Sequence, residues 1–171
     1  MPLFSRKSRK PSRISRADRA REARQWDIAA DLYRKALDRN PRNAPIWVQY
    51  GHALKEAGKL AEAERAYRAA IVRDRSASDP YLQLGHVLKL QGKLEEARAA
   101  YLRAFALDPQ LPQPSDELRR IGWSDGQIGE LRRFTAEELG RAGRPINREG
   151  SSVALGESAL HEASAADLRD A

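Results

Sequence analysis

Two clusters of side chains in this sequence are equipped for recognition chemistry, and they are one cluster written twice. Gln49, His52 and Lys55 return 34 residues later as Gln83, His86 and Lys89. A spacing of three sets each trio along one side of a helix. An amide, an imidazole and an ammonium together suit the holding of a carboxylate or of extended peptide backbone. The glutamines supply both hydrogen-bond donors and acceptors, and the lysines supply charge. A metal shared by the two histidines is a poor fit. Adjacent helix axes lie about 8–10 Å apart, whereas zinc ligands sit about 2.0–2.1 Å from the ion, and the chain offers no cysteine as a further ligand. Neither a metal nor a cofactor is expected. Catalysis has no better footing. Glu95-Glu96 and Glu137-Glu138 are helix neighbours and so lie on different faces. There is no phosphate-cradling glycine loop, no nucleophile elbow and no paired-histidine zinc helix. The chain is not expected to be an enzyme.

The elements that carry these clusters repeat with them. Residues 44–77 set over 78–111 agree at fourteen positions, among them Gly51/Gly85, Leu54/Leu88, Gly58/Gly92, Ala63/Ala97, Tyr67/Tyr101 and Ala70/Ala104. Self-similarity at a fixed short period marks an array whose units bury their apolar faces only by stacking on one another. Each unit reads as helix, tight turn, helix. In the first complete unit helix A spans about 45–57, with Trp47, Tyr50 and Leu54 on one side, and Gly58 follows as its stop. Helix B buries Leu60, Ala63, Ala66, Tyr67 and Ala70, matched by Leu94, Ala97, Ala100, Tyr101 and Ala104. Asn40-Pro41 and Asp108-Pro109 end two B helices, because a residue before proline is pushed out of helical geometry. Arg75 stands where the middle proline belongs, which predicts a looser or more continuous junction there.

A degenerate unit over 12–43 precedes the other two. Its second half fits through Trp26, Ala29, Tyr33, Ala36 and Pro41, while Arg13, Arg16 and Ala17 replace the expected aromatic, apolar and glycine residues. A terminal unit meets water on one face, which accounts for that look. Beyond Pro109 the period is expected to fail: Leu111 to Pro114 read as a linker and Ser115-Asp116-Glu117 as the cap of a short helix. Residues 112–139 are assigned to a capping helical segment and 140–171, with His161, to a mostly disordered tail.

The net charge of +7 belongs to one end. Nine Arg or Lys against Asp18 and Glu22 give residues 1–24 a surplus of seven, and the remainder is neutral. Residues 1–11 are expected to form a disordered basic arm, at most in weak, salt-sensitive contact with nucleic acid or an anionic surface. No apolar run approaches the roughly 18 residues of a membrane span. Met1 to Phe4 run straight into basic sequence rather than a secretory core, so the cytoplasm is the expected location.

The pattern Trp47-x-x-Tyr50-Gly51-x-x-Leu54 with Ala63-x-x-x-Tyr67 resembles the signature of the tetratricopeptide repeat. So does Tyr81-x-x-Leu84-Gly85-x-x-Leu88 with Ala97-x-x-x-Tyr101 and Pro109. The resemblance covers about residues 10–111. It implies an all-α, right-handed helix-turn-helix solenoid whose A helices line a concave groove for a peptide or partner protein, without catalysis. In that geometry Val48, Gln49, His52 and Lys55 with Leu82, Gln83, His86 and Lys89 would face the groove as a mildly cationic floor suited to an acidic segment. The expected role is a protein-interaction adaptor. The lysine and asparagine arrangement of family members that clamp chaperone tails is missing, so that specificity is not implied. A narrower likeness joins Trp47 to Lys55 and Tyr81 to Lys89 to repeat segments of bacterial glycosyltransferase and polysaccharide-biosynthesis proteins. It suggests as the alternative role a non-catalytic module of such a system.

Overall fold

The computed structural model describes residues 12–142, with side chains through Thr135. The expected basic arm and all but the start of the expected tail lie outside the described residues. The chain divides into two compact units, Met1–Thr135 and Ala136–Ala171. Of the second, only the last turns of one helix are described.

All regular structure among the described residues is helical: α1 (Arg13–Glu22), α2 (Trp26–Leu37), α3 (Ala44–Glu56), α4 (Leu60–Arg73), α5 (Ser78–Leu90), α6 (Leu94–Leu107), α7 (Pro112–Arg120) and α8 (Asp125–Ala142). From α1 to α7 each helix packs on the next one in the chain. That succession makes a helical solenoid of α1–α2, α3–α4 and α5–α6 hairpins.

One turn is reused inside every hairpin. Gly58 and Gly92 both adopt φ +77°, and Gly122 adopts φ +102° after α7. In each case the following amide reaches five residues back: Lys59 N to Leu54 O, Lys93 N to Leu88 O and Trp123 N to Leu118 O. This is the hydrogen-bond closure of a helix ended by a left-handed residue. The first hairpin makes the same turn with Arg24 at φ 55° and Gln25 N on Ala20 O. Its degenerate sequence therefore keeps the geometry at the cost of a strained non-glycine residue.

The signature residues pack inside the hairpins. Tyr33, Tyr67 and Tyr101 have no exposed surface, and neither do Ala29, Ala63 and Ala97. A methyl group built on Gly51 would come within 2.7 Å of the Tyr67 ring, and one on Gly85 would meet the Tyr101 ring more closely still. The glycines are thus the seats on which the tyrosines of helix B rest. Trp47 instead works at the seam between units: its Nε1 donates to Pro41 O at 2.8 Å, and the Arg73 guanidinium lies 4.7 Å above its ring.

Three expectations need correction. The middle junction is closed rather than loose. Asp74 turns to an extended conformation, and its Oδ1 accepts from Ser76 N at 2.9 Å and from Ser76 Oγ at 2.6 Å, so a side-chain turn replaces the missing proline. Leu94 is not buried, being 52% exposed, and Leu60 is only partly buried. The proline-rich run after Leu111 is not a linker but the first turn of α7, where proline is tolerated because those amides lack intrahelical partners anyway. Ser115 is consequently inside the helix, its hydroxyl donating to Pro112 O at 2.7 Å, and is not the cap. With α3, α5 and α7 starting at 44, 78 and 112, the period continues one helix further than the residue pattern shows.

Candidate functional site

Helices α1, α3, α5 and α7 are successive A helices, and corresponding positions on them form columns 34 residues apart. Through α3 and α5 run Gln49/Gln83, His52/His86 and Lys55/Lys89. The same columns hold Asp18 and Arg21 on α1, and Glu117 and Arg120 on α7.

The histidines face inward as much as outward. His52 Nδ1 lies 3.2 Å from Tyr67 Oη, with the rings edge to face at 5.7 Å. His86 meets Tyr101 at the same centroid distance. In the first unit Asp18 takes the corresponding place, accepting from Tyr33 Oη at 2.6 Å. The middle column is therefore one the fold itself uses, a polar lid over each buried tyrosine. Burial raises the pKa of all three phenols.

Charge along this face comes from arginine and lysine rather than histidine. Burial lowers the His52 pKa below its ordinary 6.5, and the charges of Lys55 and Arg21 lower it further against the opposing pull of Asp79. For His86, burial again dominates; Glu117 opposes it, while Lys55, Lys89 and Arg120 add to it. Both shifts favour the neutral ring. A stability effect follows with a definite sign. Since both folded pKa values lie below the unfolded one, the unfolded chain takes up protons first as pH falls. The stabilisation present above about pH 6.5 is lost as pH drops through the folded pKa values. The melting temperature should fall between about pH 7 and about pH 5, and a His52→Gln/His86→Gln variant should flatten that profile. An equally steep profile in the variant would assign the loss to other groups.

The lysines differ in their commitments. Lys89 pairs with Glu117, and Arg120 Nη1 reaches the same carboxylate at 2.5 Å. His86 Nε2 lies 3.9 Å from Glu117 Oε1, an ion pair only when the ring is protonated. Burial pushes the Glu117 carboxyl up, but Lys89 and Arg120 outweigh it and hold it below its ordinary value. Arg21 makes the matching link two seams earlier, donating to Gln49 Oε1. Lys55 does not repeat it: its partner is Glu56 on the same helix at 3.3 Å, and Gln83 donates to Asp79 at 3.2 Å. Val48 and Leu82, expected to face the groove, are 8% and 7% exposed. Val48 and Gln49 border a cavity of about 230 Å³ between α3 and α5, closed at its far side by Asp74, Asp79 and Pro80.

The structure thus brings Gln49, His52 and Lys55 alongside Gln83, His86 and Lys89, and adds Arg21, Glu117 and Arg120. Those three were within reach of the sequence. Subtracting 34 from Lys55 gives Arg21, and adding 34 to Gln83 and His86 gives Glu117 and Arg120. Reading Pro112 to Pro114 as a break hid the last two. Among the described residues no three histidine or acidic side chains gather in a way that could hold a metal ion.

Comparison with known proteins places this face in a family context. A tetratricopeptide-repeat family model matches residues 20–81, and a second matches 78–111, together more than half of the chain. A search of curated proteins gives no match. Among solved structures, the first tetratricopeptide repeat of Spaghetti (RPAP3) bound to the HSP90 peptide SRMEEVD is 28% identical. It aligns over 64% of this chain and 86% of that one, with a TM-score of 0.62. The second such domain of human RPAP3, in complex with the HSP70 peptide SGPTIEEVD, is 25% identical over 66% of this chain and 94% of that one, with a TM-score of 0.63. MamA, at 20% identity and a TM-score of 0.61, covers 74% of this chain and 68% of its own and shares the fold.

Proposed function

Residues 20–111 of this chain are tetratricopeptide repeats, and on that premise we propose that the A-helix face binds an extended, acidic segment of a partner protein. The repeat is generally an interaction module rather than a catalytic one, and two relatives of the fold are bound to peptides ending in Glu-Glu-Val-Asp. The observation that carries the reading is the cationic run Arg21, Lys55, Lys89 and Arg120 along the A helices, whose charges add to the burial that depresses both histidines between them. The glutamines on the same helices supply amides for the partner's backbone. The narrower likeness to polysaccharide-biosynthesis proteins gains no support from these relatives.

Anisotropy titration with a fluorescein-labelled peptide of four glutamates flanked by Gly-Ser spacers tests the proposal. Binding should weaken with added salt, since exposed charges are screened over about 8–10 Å at physiological ionic strength. Lys55→Glu should weaken it by about tenfold or more, the order of one charge-assisted contact turned repulsive. Equal affinity for a tetraglutamine peptide, or an unaltered titration with Lys55→Glu, would overturn the reading.

A further inference from the structure

We infer that Glu117 is a built-in carboxylate that fills the third-unit end of this face, so that a partner's acidic anchor is received at Lys55 instead of Lys89. The inference rests on the acidic-segment reading above and refines it.

The three seams between successive A helices make the case by their differences. At each seam the cation at one position stands opposite the residue 28 places later in the chain. Across the first seam that pair is Arg21 and Gln49, and it is hydrogen-bonded. Across the last it is Lys89 and Glu117, and it is an ion pair. Across the middle seam it is Lys55 and Gln83, and the pair is unmade, each side chain being held within its own helix. The column that presents a neutral amide at Gln49 and Gln83 changes to a carboxylate only at its last member.

That carboxylate is seated as a ligand would be. Its side chain is 8% exposed, it takes Lys89 on one oxygen and Arg120 on the other, and His86 stands 3.9 Å away. A group with those neighbours already satisfies the cations an incoming acidic side chain would seek. Lys89 therefore offers a partner little, although its side chain is 33% exposed against 19% for Lys55. Lys55 keeps its charge directed along the same face, where it acts on both His52 and His86. Its own carboxylate partner, Glu56, is 46% exposed and more readily displaced. At the same seam, toward the N-terminal ends of the two helices, the cavity between α3 and α5 leaves room. The acidic rim of that cavity, Asp74 and Asp79, gives the site a direction. The partner's acidic end lies toward the C-terminal ends of α3 and α5, where Lys55 is, and its neutral or basic continuation lies toward their N-terminal ends.

The test uses the tetraglutamate peptide and the full chain with Glu117→Gln, Lys89→Gln and the double substitution. Glu117→Gln keeps the shape and hydrogen-bonding capacity of the side chain while freeing Lys89 and Arg120, and should tighten binding about tenfold. Lys89→Gln alone should change affinity less than twofold, and the double variant should return to the wild-type value. If the wild type binds but Glu117→Gln does not bind more tightly, or if Lys89→Gln weakens binding as much as Lys55→Glu, the built-in carboxylate is refuted and the acidic-segment reading stands. If neither the wild type nor Glu117→Gln binds, both fall. An NMR titration of His86 supplies a readout that loss of folding would not imitate. Removing the Glu117 charge should move the His86 pKa further down, and an unmoved pKa would also refute the inference.

Discussion

Gly85→Leu should lower the unfolding free energy by about 3 kcal/mol or more, and even Gly85→Ala should be destabilising. On an open helix surface the alanine would be favoured by about 1 kcal/mol over glycine. Here the first added carbon lands inside contact distance of the Tyr101 ring, and that ring has no exposed surface through which to move away. Overpacking of this sort costs about 1–3 kcal/mol for small insertions, which outweighs the propensity gain. Leucine adds three more carbons in the same place. Gly129, in α8, has nothing near its missing side chain, so Gly129→Ala should be neutral or stabilising. Urea midpoints for the three variants check the argument. A Gly85→Leu midpoint equal to wild type would show that the tyrosine does not rest on that glycine.

Leu118→Ala should cost about 2–5 kcal/mol, the range for truncating a fully buried leucine. Leu118 has no exposed surface although it lies in a helix of nine residues. Around that end of the array Phe105 is also fully buried, and Arg132 of α8 lies 5.7 Å above its ring. The damage should be local. In a stack whose members touch only their neighbours, weakening the last helix frays the adjacent hairpin first. Hydrogen exchange should accelerate in α5 and α6 and remain slow in α1 and α2. Uniform acceleration along the chain would mean that the hairpins unfold as one block.

Much of this architecture was written plainly in the residues. The two copies of the glycine, alanine and tyrosine pattern fixed the hairpins, since those residue types answer one steric demand, a ring against a bare backbone. Period alone also located the recurring Gln, His and Lys columns. What it did not disclose was their division of labour. The histidines look like surface groups in sequence, and only the placement of Tyr67 and Tyr101 shows them as lids on buried phenols. Lys55 and Lys89 look equivalent too, and the difference between them lies in Glu117, on a helix whose prolines disguise its start. Proline at a first turn and proline in a linker have the same sequence and opposite consequences. Arg24 is an unfavourable residue for the turn between α1 and α2, and the sequence there carries no glycine to announce it.

The placement of the bridges has a mechanical consequence. The first and last seams are fastened on the A-helix side, by Arg21 with Gln49 and by Lys89 with Glu117, and the first also on the opposite side, by Lys59 with Asp27 at 2.7 Å. The middle one is fastened on the opposite side, where Arg68 reaches Glu96 and Lys93 reaches Glu64, each at 2.9 Å. Among the described residues no hydrogen bond or ion pair joins α3 to α5. Like a booklet stitched along its spine, the middle crease has its stitches on one edge and none on the other. On the proposed reading, a thicker partner segment is accommodated at that single crease.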